Sequence, residues 1–571
     1  MKRIILALVF AASLSAGHTQ MPQQYTNPIL SGFYPDPSIC RVKDDYYLVS
    51  STFAYFPGIP VFHSKDLVHW ELIAHVMSRP AQMDLTGFGV SRGIFAPAIR
   101  WHDGLFYVTC TLVDGKGNFV ATAKDPAGPW SDPHWLPQVD GIDPCLFFDE
   151  GKAWLVYNSI PPDNKSLYSG HRTIRLRSFD PATLQAGNDE RILVNGGTDI
   201  SRKPAWIEGP HLLKKDDYYY LIAAEGGTGY DHSVVAFRSK TLDGPFVPFE
   251  HNPVLTQRNL DSSRSFPVTS TGHADLVETP DGWQAVFLGC RPYEGDFYNT
   301  GRETFLVPVQ WENGWPLLNP GRLYVGFTYP LPLPSKAEAA ARYSGNFSYR
   351  DDFDQNKLAA DWMMLRTPKN NWYSLDRRKG SLSLQLRPAT CAGRDNPSFL
   401  ARRQQHLSCT VTTDMSFTPA APNEKSGLAV FQNEDHFYYL CQSKDGDKDV
   451  VQLYRSLLVP ADSNRMELLA SLPLKKRQGS VHLRAQAAKD VYNFYYSEDG
   501  NKWLPVKEGV DARFLSTRTA GGFVGCTFAL YSTSLGKPSE SWAHYGHFDY
   551  AGNDEVWRRS AERQKNSPVG H

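Results

Sequence analysis

The sequence predicts an all-β protein, a five-bladed β-propeller followed by a β-sandwich, and three observations predict it. One strand–turn–strand unit recurs five times before about residue 325. Beyond it, strand-like runs continue to about residue 552 without a repeat. The composition agrees, because 13% aromatic residues with 44 Gly and 40 Pro in 571 residues means many strand formers and many turns.

The five copies read DPSICRVKDDYYLVSST from Asp36, APAIRWHDGLFYVTCT from Ala96, DPCLFFDEGKAWLVYNS from Asp143, EGPHLLKKDDYYYLIAAEG from Glu208 and GHADLVETPDGWQAVFLGC from Gly272. Their starts are spaced 60, 47, 65 and 64 residues apart. Each turn carries Asp or Gly, as a short hairpin requires. Further strand-like stretches follow, such as VFHSKDLVHWELI, FVATAKDPAGPWSD, VVAFRSKTLDGPFVPF and FLVPVQWENGWPLL. About four strands per unit is the content of a propeller blade.

In a propeller the innermost strand of every blade lines the central channel, so the starts of those strands converge at one mouth. Those positions carry Asp36, Ala96, Asp143, Glu208 (one residue out of register) and His273. Three carboxylates gathered in a small space repel one another, and such a cluster points to function or to a metal.

Other readings bound the answer. With 59 Lys+Arg against 60 Asp+Glu, the charge of −1 gives no electrostatic basis for binding nucleic acid. Lys2 and Arg3, an apolar run from Ile4 to Leu14, and small Ser15, Ala16 and Gly17 form the pattern of a secretory signal peptide over residues 1–17. The apolar run is too short to span a bilayer. The mature protein is therefore expected to be exported, periplasmic or secreted, with no membrane partner. The eight widely spaced Cys show neither a disulfide framework nor a zinc pattern and read as small buried hydrophobes.

Three carboxylates on one channel mouth have a ready chemical use. Cleavage of a glycosidic bond needs one carboxyl to protonate the leaving oxygen and another to activate water or attack the sugar. A third nearby carboxylate raises the pKa of the acid. A calcium site, built from oxygen ligands and one His, is the competing use.

Tyr-Pro-Asp36-Pro-Ser, Ile-Asp143-Pro and Ile-Glu208-Gly-Pro-His211 resemble the three signatures of glycoside hydrolase family 43. So do SSTFAYFPGIPVFHSKDLVHW, AAEGGTGYDHS, GHADLVE and GRETF. The resemblance covers residues 26–325 and is nearest to the β-xylosidase and α-L-arabinofuranosidase branch. It implies an inverting exo-glycosidase acting on xylan- or arabinoxylan-derived, plant cell-wall oligosaccharides. Asp36 is then the general base, Glu208 the general acid, and Asp143 the group that raises and orients the acid. Inversion implies about 6.5–9.5 Å between base and acid. The resemblance also assigns Arg302 to sugar hydroxyls and Phe53 to an aromatic wall. His273 becomes the channel histidine that holds a water or a calcium ion through water. No cofactor is required, and a structural calcium is the only ion implied. Phe95 keeps the aromatic of the usual Trp-Ala-Pro-Asp motif, but Ala98 replaces its carboxylate. Xylose and arabinose are not separated by these residues.

Residues 326–345, with Pro330, Pro332 and Pro334, read as a linker. Residues 346–552 read as the sandwich, of the concanavalin or jelly-roll kind, and 553–571 as a polar, mobile tail. By resemblance the sandwich closes one side of the pocket with an aromatic at Phe523, in AGGFVG. Three alternatives remain at this level: an arabinan-directed enzyme of the same fold, a retaining fructosidase, and a propeller that only binds sugars. The fructosidase reading lacks its Asn-Asp-Pro-Asn and Glu-Cys motifs here.

Overall fold

Each of the five repeats forms one antiparallel blade built from a contiguous stretch of chain. The computed structural model describes residues 23–261, 263–335, 341–458, 466–475 and 479–558. The expected signal peptide at 1–17 lies outside these residues. Blade 1 runs Ser38–Val42, Asp45–Val49, Gly58–Ser64 and Glu71–Met77, paired in that order. Blades 2 to 5 begin with the inner strands Ala98–His102, Ile142–Asp149, Glu208–Lys215 and Thr269–Thr279. In blades 3 and 4 the third strand pairs with two short outer strands. The hairpin turns match their sequence: Asp103–Gly104 and Glu150–Gly151 both take positive φ, as a two-residue turn demands.

The ring is closed by the chain's own flanks. Gln24–Thr26 pairs with Thr328–Pro330, Tyr25 stacks on Tyr329 at 5.6 Å, and Asn27 Nδ2 donates to the Leu306 carbonyl at 2.7 Å. Thr328–Pro330, within the expected linker, is thus held in a strand pair. Tyr343 is buried against Tyr34 and Phe62, with ring centroids 6.2 and 5.3 Å away. Residues 336–340 lie outside the described set.

Among the described residues the C-terminal domain is a sandwich of two antiparallel sheets, an outer one of eight strands and an inner one of seven. Strands of the outer sheet alternate, as in Ser408–Ser416 and Val481–Ala488, with one face buried and the other open. Strands of the inner sheet, such as Lys425–Asn433 and His436–Asp445, are buried almost throughout. The reason is that the inner sheet is a middle layer. Its edge is extended by Tyr55–Phe56 of the propeller, paired with Met363–Leu365. One apolar core runs from Val61, Val76 and Phe119 in the blades to Trp362, Leu428 and Phe494 in the sandwich.

The first residues of the expected tail are packed, not mobile. Asp554 and Trp557 are buried, Asp554 Oδ2 lies 2.7 Å from Arg291 Nη1, and that guanidinium sits 4.8 Å from the Trp557 ring centroid. Residues 559–571 lie outside the described set. All eight Cys are buried and unpaired.

Candidate active site

The blades' inner strands open at one end of the axis onto a cavity of ≈ 560 Å³, a volume suited to a small ligand. Asp36, Phe53, Phe95, Asp143, Glu208, His273, Arg302 and Phe523 all line it. Every residue singled out in the sequence is thus brought to one place.

Local backbone geometry aims these side chains. Asp36, Asp143 and His273 have φ of 55°, 57° and 52°, in the left-handed region that few non-glycine residues occupy. The strand ladders slip between Ile142 and Cys145, between Glu208 and His211, and between Gly272 and Asp275. Such bulges re-aim a side chain; the slips in blades 3 and 4 are equivalent, so Gly209 takes the place that Asp143 holds in blade 3 and Glu208 stands one residue ahead of it. Gly209 has φ +57°, and a Cβ there would fall 2.8 Å from the His273 ring, so only glycine fits.

The three carboxyls differ sharply in surroundings. Asp36 Oδ1 accepts from Arg302 Nη1 at 3.1 Å, and Oδ2 accepts from the Ser51 hydroxyl at 2.6 Å. His273 Nδ1 is 3.9 Å from Oδ1. Burial would raise the Asp36 carboxyl, but Arg302, His273 and Ser51 together hold it below the usual aspartate value. Burial pushes Asp143 up, and the charge of Asp36 adds to the rise, against His273 and a 3.0 Å hydrogen bond from Gly209 N–H. Burial likewise pushes Glu208 up to about 8, reinforced by Asp143 and Asp36 and opposed by Arg302 and Arg172. At neutral pH one cavity therefore holds an ionised carboxylate and a protonated carboxyl. That pairing can withdraw a proton from water and supply another to a leaving oxygen.

Three rings wall the cavity beside Asp36. Phe53 and Phe523 stack at 6.0 Å, and Phe95 meets them edge-on at 5.5 and 5.6 Å. Phe523 comes from the sandwich and is held by its N–H donating to Ser91 Oγ at 2.9 Å. The Arg302 guanidinium lies 5.9 Å from the Phe53 centroid and 5.3 Å from that of Phe523.

Beneath the cavity the axis is filled by one residue from each blade: Ser38, Arg100, Cys145, His211 and Asp275. Arg100 Nη1 is 2.9 Å from Asp275 Oδ2, its Nη2 donates to His211 Nδ1 at 3.0 Å, and Ser38 Oγ donates to Asp275 at 2.8 Å. A fixed guanidinium thus provides the positive charge on the axis. Among the described residues no group of three or more His, Cys, Asp or Glu side chains is arranged to hold a metal ion. The calcium expected through water at His273 would meet a positive charge already on this axis, since Arg100 bonds His211, whose ring centroid lies 6.3 Å from that of His273.

The cavity also contains residues that the sequence reading missed, notably Arg92, Asn158, Ile160, Arg172, Trp206 and Thr228. Trp206 had a signal, since it stands two residues before Glu208 on the segment entering an inner strand. Arg172 had none, because it follows the long connection Ile160–His171 whose course no local pattern sets.

A propeller that sets an ionised and a protonated carboxyl into an aromatic-walled, sugar-sized cavity defines a glycoside hydrolase. The family model described as glycosyl hydrolases family 43 matches residues 25–316, and that described as β-xylosidase C-terminal concanavalin A-like domain matches residues 350–551. The chain belongs to glycosyl hydrolase family 43. It is 40% identical over 529 residues to a xylosidase/arabinosidase of Butyrivibrio fibrisolvens, covering 91% of this chain and 98% of that protein. It is 38% identical over 559 residues to a non-reducing end α-L-arabinofuranosidase of Bacteroides ovatus, covering 96% and 99%. Among solved structures, a xylan β-1,4-xylosidase from Bacillus halodurans superposes with a TM-score of 0.81 at 32% identity, covering 92% of this chain and all 100% of that one.

Proposed function

We propose that this enzyme is an exported, inverting exo-glycosidase that removes terminal xylosyl or arabinofuranosyl units from xylan- or arabinoxylan-derived saccharides. The observation that carries the reading is the opposite displacement of two carboxyls in one cavity, Asp36 downward and Glu208 upward. Asp36, ionised, removes a proton from a water that attacks the anomeric carbon. Glu208, protonated, gives its proton to the departing oxygen. Burial keeps that proton on Glu208, and Asp143 adds to the effect by its charge and fixes the backbone beside it through Gly209. Among the described residues the buried Nε of Arg302 has no hydrogen-bond partner, a donor available to a sugar hydroxyl.

The sugar class is supported by the relatives, whose names include both xylosidase and arabinofuranosidase. The exo mode is supported by the wall of Phe53, Phe95 and Phe523, which bounds the cavity that Asp36 also lines. Export rests on the N-terminal sequence pattern, and the mass of the mature N-terminus from the native host tests it.

The deciding experiment measures aryl β-D-xylopyranoside and aryl α-L-arabinofuranoside hydrolysis by the wild type and by Glu208→Gln, with NMR reading the anomer first released. The expected result is turnover of at least one substrate with inversion, and its loss in the variant. No turnover of either, or retention of configuration, would remove this reading.

A further inference from the structure

Trp206 lines the cavity and keeps 37% of its surface exposed, more than Phe53, which is buried, or Phe95 and Phe523, which are partly buried. Its backbone is held at φ 53°, a conformation that a bulky residue adopts only when its surroundings impose it. The surroundings here are specific. The Trp206 N–H donates to the Gly170 carbonyl at 2.9 Å, which ties two loops together. The Arg172 guanidinium covers one face of the indole at 3.7 Å from its centroid. Arg172 is itself fixed by a 2.9 Å bond from Nη1 to the His171 carbonyl, and buried His171 is anchored on Asn195 at 2.8 Å. Ile160, also 38% exposed, lines the same cavity.

We infer that Trp206, stacked on Arg172, is the platform for the sugar on the leaving-group side of the scissile bond. The inference rests on the proposed role of Glu208. An acid that protonates the leaving oxygen must have the leaving group beside it, and Trp206 stands two residues ahead of Glu208. The opposite end, walled by Phe53, Phe95 and Phe523, holds the sugar that is released. A flat indole accepts the apolar face of a pyranose ring, and the guanidinium donors beside it match ring hydroxyls. The platform makes this enzyme discriminate in favour of a sugar leaving group, so it acts as a specificity-determining residue and takes no part in proton transfer.

The test compares two substrates that differ only in the leaving group: a xylo- or arabino-oligosaccharide, and the glycosyl fluoride of the same terminal sugar. In the fluoride the C–F bond breaks, fluoride departs without needing a proton, and nothing reaches Trp206. Trp206→Leu keeps apolar bulk and loses the flat face, and Trp206→Phe retains a flat face. Trp206→Leu is expected to lower kcat/KM on the oligosaccharide by about tenfold and on the fluoride by less than about twofold. Trp206→Phe should recover most of the loss. Equal losses on both substrates, or none on the oligosaccharide, would overturn the platform and leave the glycosidase reading intact. A wild type that turns over neither substrate would remove both.

Discussion

The backbone N–H of Gly209 donates a 3.0 Å hydrogen bond to Oδ2 of Asp143, so the residue that follows Glu208 is pinned by the carboxylate that raises Glu208's pKa. Positioning and electrostatic tuning therefore pass through the same side chain. Asp143→Asn keeps an oxygen acceptor for Gly209 and removes the charge. The pKa of Glu208 must then fall, since Asp143 is one of the groups raising it. The basic limb of the kcat/KM profile is expected to move to lower pH with little change in melting temperature. An unmoved basic limb would mean that Asp143 only positions the backbone.

Arg302 has the opposite influence on Asp36, holding that carboxyl down from 3.1 Å away. In Arg302→Met the pKa of Asp36 rises toward or beyond its ordinary value. The acidic limb of the profile should shift to higher pH, and kcat/KM at neutral pH should fall by about 10²-fold or more. A loss of rate without any shift of the acidic limb would separate sugar binding from tuning of the base.

Glu208 also costs stability. Its folded-state value near 8 stands above the ordinary 4.5. As pH rises through 4.5 the unfolded chain releases this proton while the folded protein keeps it, so stability falls between about 4.5 and 8. Glu208→Gln removes the penalty. The inactive variant is expected to melt a few degrees above the wild type at pH 8, and the gap should close toward pH 4. A gap that is constant with pH would show that titration of Glu208 is not its source.

Arg100, paired with Asp275 and bonded to His211, already places a positive charge on the propeller axis. Dialysis against EDTA should leave both melting temperature and kcat unchanged. A loss restored by calcium would demand a metal site that these residues do not outline.

Arg291 is shared by Glu303, at 2.6 Å, and by Asp554, at 2.7 Å, and all three are buried. Asp554→Ala leaves the guanidinium with one charged partner, Glu303, beside the Gln405 carbonyl. The expected cost is about 3 kcal/mol in urea denaturation, the low end for a broken buried pair because Glu303 remains. Truncation after residue 552 should cost at least as much. A neutral result would show that the packing of residues 553–558 contributes nothing to the interface.

Much of the site was legible because a propeller converts a sequence repeat into spatial convergence. Finding Asp36, Asp143 and His273 at equivalent points of the repeat, with Glu208 one residue away, was enough to place them at one mouth. Arg302 and the three phenylalanines came through motif resemblance, since none lies at the start of an inner strand. In the sandwich, strands such as Ser408–Ser416 were readable from alternation, because one face meets water. Ser398–Arg403, buried despite two arginines, and Thr527–Thr533, buried along its whole length, show no such alternation.

The sequence by itself determined the five blades, the sandwich and the three carboxylates. These follow from local rules: strand periodicity, turn chemistry and the repetition of one unit. Only the tertiary structure decided that Tyr55–Phe56 extends a sandwich sheet, that Asp554 neutralises Arg291, and that Trp206 and Arg172 meet at the cavity. It also decided which carboxyl is held down and which is pushed up. Ionisation depends on burial and on charges brought from other blades, and a linear pattern carries neither.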